Sequence, residues 1–165
     1  MSLPQTMTAI RAERGDAGAR LVPVQIPVPQ PGPGQVLFKV ATGGVNRADL
    51  LQVQGHHPPP PGAPDTPGLE ASGTVVAVGA GVSGSRVGDN ICALLPGGGY
   101  AQYAIATEAC ILPVPKNVSL RDAGGIPEVY FTVWSNVFDT VRLKPGETFL
   151  RSEEHTSELQ SHHDL

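Results

Sequence analysis

The sequence predicts a mainly β domain with short helices, and three observations carry that prediction. Apolar runs rich in β-branched residues recur at short spacing, as in Thr74-Val75-Val76-Ala77-Val78 and Ile91-Cys92-Ala93-Leu94-Leu95. The 20 glycines and 17 prolines are spread between such runs as punctuation, which suits a turn-rich β domain better than disorder. Finally, Gln35 to Ala41 sets Val36, Phe38 and Val40 on one face at the period of a strand.

In chain order, Met7–Arg11 and Arg20–Val24 read as a first hairpin across Glu13-Arg14-Gly15-Asp16. Pro23, Pro27 and Pro29 put its second strand at a sheet edge, because proline cannot donate to a ladder. Pro31-Gly32-Pro33-Gly34 is a turn before the strand at 35–41. Gly43 to Gln52 reads as a strand end followed by a short helix, with Asn46 as N-cap and Asp49 favouring the helix N-terminus. Pro58 to Pro61, Pro64 and Pro67 make a stiff surface loop behind His56 and His57. Gly68 to Gly79 is a buried strand opened and closed by glycines, and Val87-Gly88-Asp89 leads into the next one. Gly97-Gly98-Gly99 is a flexible loop entering a strand; it is no phosphate loop, since no helix with Lys-Ser/Thr follows.

Ser119-Leu120-Arg121-Asp122 resembles a capping box with Asp in the last place. Pro127 to Val141 is the strongest helix candidate, with Tyr130, Val133, Trp134, Val137 and Val141 at helical spacing and most of its aromatics expected in the core. Glu147 to Leu150 then starts a strand.

The chain has 165 residues, enough for one domain with a substantial core. A net charge of −4 gives no basic footprint for nucleic acid. No apolar run approaches the roughly 20 residues needed to span a bilayer, and no signal peptide opens the chain. A cytoplasmic protein with no membrane partner is the expectation. Cys92 and Cys110 sit in apolar surroundings and are expected as buried thiols.

The last fifteen residues depart from this pattern. Arg151-Ser-Glu-Glu-His-Thr-Ser-Glu-Leu-Gln-Ser161 is the peptide obtained by translating a widely used short-read sequencing adapter, and 162–165 fit the bases after it. On that reading 151–165 are a non-native tail, excluded from fold reasoning, and the natural protein continues past Leu150. His155, His162 and His163 are then no metal cluster.

Gly68-Leu69-Glu70-Ala71-Ser72-Gly73, followed by Gly79, Val82 and Gly88-Asp89, resembles the signature of the medium-chain dehydrogenase/reductase superfamily. Within it, Val45-Asn46-Arg47-Ala48-Asp49-Leu50, Gln54-Gly55, Leu94 to Gly99, and Ile126-Pro127-Glu128 with Thr132 resemble the zinc-independent, zeta-crystallin-like NAD(P)H quinone oxidoreductases, the tumour-suppressor-inducible type above all. The resemblance covers roughly 7–150. It implies a GroES-like β-barrel catalytic domain over 1–125, and a connecting helix and first strand of a truncated Rossmann domain over 126–150.

It also implies an NADPH:quinone oxidoreductase, acting on a quinone or other activated alkene and homodimeric as a whole. Asn46 and Thr132 would hold the nicotinamide-ribose end of NADPH. Each has another reading: Asn46 as a helix cap, Thr132 as a hydroxyl bonded back to the preceding turn. His57 stands where close relatives have a quinone-facing tyrosine; it is either a hydrogen-bond or proton donor to the reduced quinone, or an exposed loop residue. Asn46 and His57 are thus the candidate catalytic residues. Zinc-dependent cousins have Cys at the place of Asn46 and His at that of Leu69, so no metal is expected. The glycine turn that would grip the cofactor pyrophosphate would follow Leu150, so the chain alone should be inactive. An enoyl reductase of the same superfamily and a non-enzymatic GroES-like binding module are the alternatives.

Overall fold

In the computed structural model the described residues are 3–15 and 18–150, so the expectations for 151–165 lie outside them. The chain divides into two units, Met1–Thr132 and Val133–Leu165.

The first unit opens with a long hairpin, β1 (Thr6–Gly15) and β2 (Gly18–Pro27), paired from Thr6↔Pro27 to Gly15↔Gly18. Its strands run further than the sequence suggested, through Glu13 to Gly15, so the turn is shorter. The edge position expected from the prolines holds: among the described residues β2 pairs with β1 alone, and Pro23 costs no ladder on its other side.

A second, five-stranded antiparallel sheet is built from β3 (Gln35–Gly43), β4 (Glu70–Val78), β5 (Asn90–Leu94), β6 (Tyr103–Thr107) and β7 (Ile111–Pro113). Their order is β6-β3-β4-β5-β7. β3 carries the alternation seen in the sequence and uses both its faces. Val36 and Phe38 enter a core with Ala71, Val75, Ile91, Ala93, Leu95, Ala104 and Ala106. Leu37, on the opposite face, joins Met7 of the hairpin and Val28 in a second core. The hairpin therefore covers the face of the sheet that would otherwise be wet. Register shifts between Leu37 and Phe38 and between Val40 and Thr42 bend the β3–β4 pair, as bulges do in closing sheets.

Helix α1 (Arg47–Gln54) follows β3 directly, with Asn46 extended at its N-cap as expected. Gly55 ends it at φ 88°, a left-handed position that suits glycine. Arg14 of the hairpin donates to the main-chain carbonyls of Gln52 (2.9 Å) and Val53 (3.2 Å), satisfying the helix C-terminus from outside.

Several expectations need correcting. The proline loop is not wholly at the surface: Thr66, Pro67 and Gly68 are buried. The triple glycine is not a loose loop either. Gly98 and Gly99 donate to the carbonyls of Thr66 (2.7 Å) and Gly68 (3.0 Å), and Tyr100 N–H to that of Pro67 (3.0 Å). A Cβ on Gly68 would lie 2.7 Å from Gly99 Cα, so these glycines serve close backbone approach.

Further corrections concern the last helix and its flanks. α2 (Pro127–Val133) forms at the expected start, but Trp134–Thr140 winds on as a wider π-type helix. Its apolar stripe is not core: Tyr130 is 65% and Trp134 62% exposed. Trp134 stacks on Phe138 instead, with ring centroids 5.0 Å apart. Glu147 to Leu150 form no strand; Glu147 turns back, its N–H donating to Lys144 O and its carboxylate accepting the Lys144 N–H. Ahead of α2, Ser119 Oγ does accept the Asp122 N–H (3.0 Å), but what it starts is one 3₁₀ turn, Asp122–Gly125.

Both cysteines are free thiols; Cys92 is buried and Cys110 half-buried. Burial, with the Glu70 carboxylate adding to it, pushes the Cys92 thiol up. Among the described residues no helix is long and apolar enough to cross a membrane.

Candidate active site

Where β3 ends, α1 begins and β4 starts, the first unit assembles a polar cluster around two buried carboxylates. Asp49 and Glu70 are each 2% exposed. Charges so placed need donors, and both have them.

Asp49 Oδ2 accepts the Asn46 main-chain N–H at 2.8 Å and the Tyr100 hydroxyl at 2.9 Å. Its Oδ1 accepts the Gly68 N–H at 3.1 Å. One side chain thus fixes the start of α1, the entry to β4 and the residue after the triple glycine. The Tyr100 hydroxyl also lies 3.1 Å from Gly44 O. Burial, then the Asp49 hydrogen bond and the negative charge of Asp49 and Glu70, hold the Tyr100 phenol well above its ordinary range.

Glu70 spans the cluster in the other direction. Its Oε1 accepts from Asn46 Nδ2 at 2.9 Å, and its Oε2 accepts the Glu128 N–H at the start of α2, also at 2.9 Å. Glu128 in turn accepts the Thr132 hydroxyl at 3.1 Å. Gly44 makes room: a Cβ there would sit 2.1 Å from Glu70 Oε1.

Of the sequence-predicted residues, Asn46 and Thr132 are therefore joined in one chain of hydrogen bonds through Glu70 and Glu128. Asn46 is half-buried and Thr132 exposed at this site. Asn46 stands at the N-cap, as one of its two readings had it, and its amide reaches Glu70, a contact the sequence did not suggest. Thr132 bonds to a side chain one turn back. His57 stays apart from the cluster, exposed beyond Gly55 and without a hydrogen bond among the described residues.

Sequence reasoning gave Glu70 and Tyr100 no role, and left Asp49 as a helix-start residue. A signal for Glu70 existed, since it is the one charge within the apolar Gly68–Val78 run. Tyr100 lies 51 residues from Asp49, with no local pattern to link them.

No group of three or more His, Cys, Asp and Glu able to hold a metal ion occurs among the described residues. A separate apolar cavity of about 280 Å³, walled by Met7, Ile26, Pro29, Pro64 and Tyr103, includes none of the cluster residues.

The profile of the alcohol dehydrogenase GroES-like domain matches residues 32–116, just over half of the chain. The chain is 37% identical over 122 residues to the synaptic vesicle membrane protein VAT-1 homolog of Rattus norvegicus, covering 74% of this chain and 30% of that protein. It is 33% identical over 146 residues to the quinone oxidoreductase of Rattus norvegicus, covering 87% of this chain and 44% of that one. Among solved structures, JamJ enoyl reductase in its apo form superposes with a TM-score of 0.73 at 25% identity, over 86% of this chain and 45% of that one. The chain thus spans less than half the length of these relatives. With a matching profile, a curled antiparallel sheet and these neighbours, the chain belongs to the alcohol dehydrogenase GroES-like domain family and is a quinone oxidoreductase-like domain of the medium-chain dehydrogenase/reductase superfamily.

Proposed function

We propose that this domain is the catalytic part of an NADPH:quinone oxidoreductase that works without a metal. The observation that carries the reading is the use made of Glu70. Beside Leu69, which offers no donor atom, its two oxygens are already engaged by Asn46 and the Glu128 N–H. A catalytic zinc wants about three N, S or O ligands and an open position. The residues present do not fit one.

Without a Lewis acid, an ordinary ketone is a poor hydride acceptor, whereas a quinone accepts one readily because the product anion is delocalised. Such a reaction rests on positioning and a few hydrogen bonds. A bound nicotinamide would supply the hydride. Asn46 and Thr132 would hold its ribose end, and their common tether through Glu70 and Glu128 supports that assignment. The quinone gains two electrons and one proton with the hydride, and one further proton completes the hydroquinone. His57, exposed on the loop after α1, is the proposed donor of that proton.

The stretch 126–150 is proposed to lead into a Rossmann domain of a longer, cytoplasmic, homodimeric enzyme. The pyrophosphate grip would lie on that domain, so this chain alone should bind cofactor weakly and turn over nothing. Mixing the chain with NADPH and a small quinone checks this: no loss of NADPH absorbance is expected.

The likeness to JamJ enoyl reductase favours a second reading, reduction of an activated alkene on an acyl thioester. Turnover of a small quinone and of an enoyl thioester by the longer enzyme, measured side by side, separates the two. A GroES-like binding module without catalysis would turn over neither.

A further inference from the structure

We infer that Glu70 is the positioning residue of the nicotinamide site, one carboxylate that sets the distance between the two groups that meet the cofactor. The inference rests on the proposed roles of Asn46 and Thr132 and adds the device that holds them together.

Glu70 is 2% exposed, yet its hydrogen bonds run outward to two separate elements. Oε1 takes Asn46 Nδ2 at the mouth of α1, and Oε2 takes the Glu128 N–H in the first turn of α2. These partners are 24 and 58 residues away in the chain. An ionised carboxylate only accepts, so the Asn46 atom facing it must be the amide nitrogen, which fixes the orientation of that side chain. On the other arm, Glu128 carries the Thr132 hydroxyl at 3.1 Å. Gly44 keeps the passage open, because a Cβ there would meet Glu70 Oε1 at 2.1 Å and Cγ at 2.7 Å. Two donors and two acceptors match, so Glu70 works as a spacer between the arms.

The isosteric variant Glu70→Gln separates this role from a merely structural one. Its amide has one acceptor oxygen and one donor nitrogen, so it can satisfy Asn46 or the Glu128 N–H but not both. The test uses the isotope-labelled chain and nicotinamide mononucleotide, which carries the ribose end without needing a pyrophosphate grip. In the wild type, titration to tens of millimolar should shift the Asn46 side-chain amide and the Thr132 amide together, with one dissociation constant. A through-bond coupling between Asn46 Nδ2 and Glu70 Cδ should be seen without ligand. In Glu70→Gln either that coupling or the hydrogen bond from the Glu128 N–H should be lost and binding should weaken about tenfold, with a well-dispersed spectrum retained. Should that variant not fold, Glu70→Asp, one methylene too short to bridge both arms, should show the same loss. Wild-type binding strength in a folded Glu70 variant overturns the spacer role alone. No shift at Asn46 or Thr132 in the wild type overturns the cofactor assignment, and the inference with it.

Discussion

Asp49 shows how much a single side chain can hold. It is buried, and its two oxygens satisfy the N–H groups of Asn46 and Gly68 and the Tyr100 hydroxyl. Asp49→Ala would strip the Asn46 and Gly68 N–H groups of their acceptor and leave the Tyr100 hydroxyl only Gly44 O, for a loss of about 3 kcal/mol in urea unfolding. Tyr100→Phe keeps the ring and removes one bond to a charged acceptor, costing about 1.5–3 kcal/mol. The same pair sets a pH dependence. Burial and Asp49 raise the Tyr100 phenol above its ordinary value of 10.0. The stability this brings is fully present below pH 10 and is lost as pH rises through the elevated folded value. Unfolding free energies at pH 8 and pH 11 should therefore differ more in the wild type than in Tyr100→Phe. Equal slopes would mean that Tyr100 titrates like a free phenol. At this scale the sequence was legible where the signal was local. Asn46 before a helix and Asp49 three residues on form a recognisable start, whereas the 51-residue reach from Tyr100 to Asp49 leaves no periodic trace.

Among the elements, β3 was the most readable because period two is a direct image of its packing. Val36, Leu37 and Phe38 are all fully buried, in two cores on opposite faces. Phe38→Ala should cost about 3–5 kcal/mol, measured by chemical denaturation. Gly44→Ala acts on the link between elements. Its new Cβ would collide with Glu70, so the carboxylate must give up Asn46 or the strand end must shift. A destabilisation of about 1–3 kcal/mol is expected, accompanied by loss of the Asn46–Glu70 hydrogen bond in the amide spectrum. Reading failed where an apolar pattern was equated with burial. Tyr130 and Trp134 follow helical spacing, and the helix forms, but periodicity reports which face is apolar rather than what covers it. The strand expected at 147–150 failed for a related reason: a strand is defined by a partner, and residues 147–150 have no ladder partner among the described residues.

For the whole molecule, the family signature around Gly68-Leu69-Glu70 was sufficient for the fold, since its glycines serve backbone approach that the structure displays. A Cβ at Gly73 would lie 2.1 Å from Lys39 O, across the β3–β4 pair. The chain spans 44% of the rat quinone oxidoreductase, so the proposed reaction is to be tested on a longer enzyme. On the proposed reading, this domain contributes a hydrogen-bonded carboxylate, Glu70, at the cofactor end in place of a metal. The most direct test is NADPH oxidation by a small quinone in the longer enzyme, before and after exhaustive treatment with a strong chelator, with bound metal quantified. Undiminished turnover in metal-free protein is the predicted result. Turnover that disappears on chelation and returns with zinc would contradict it.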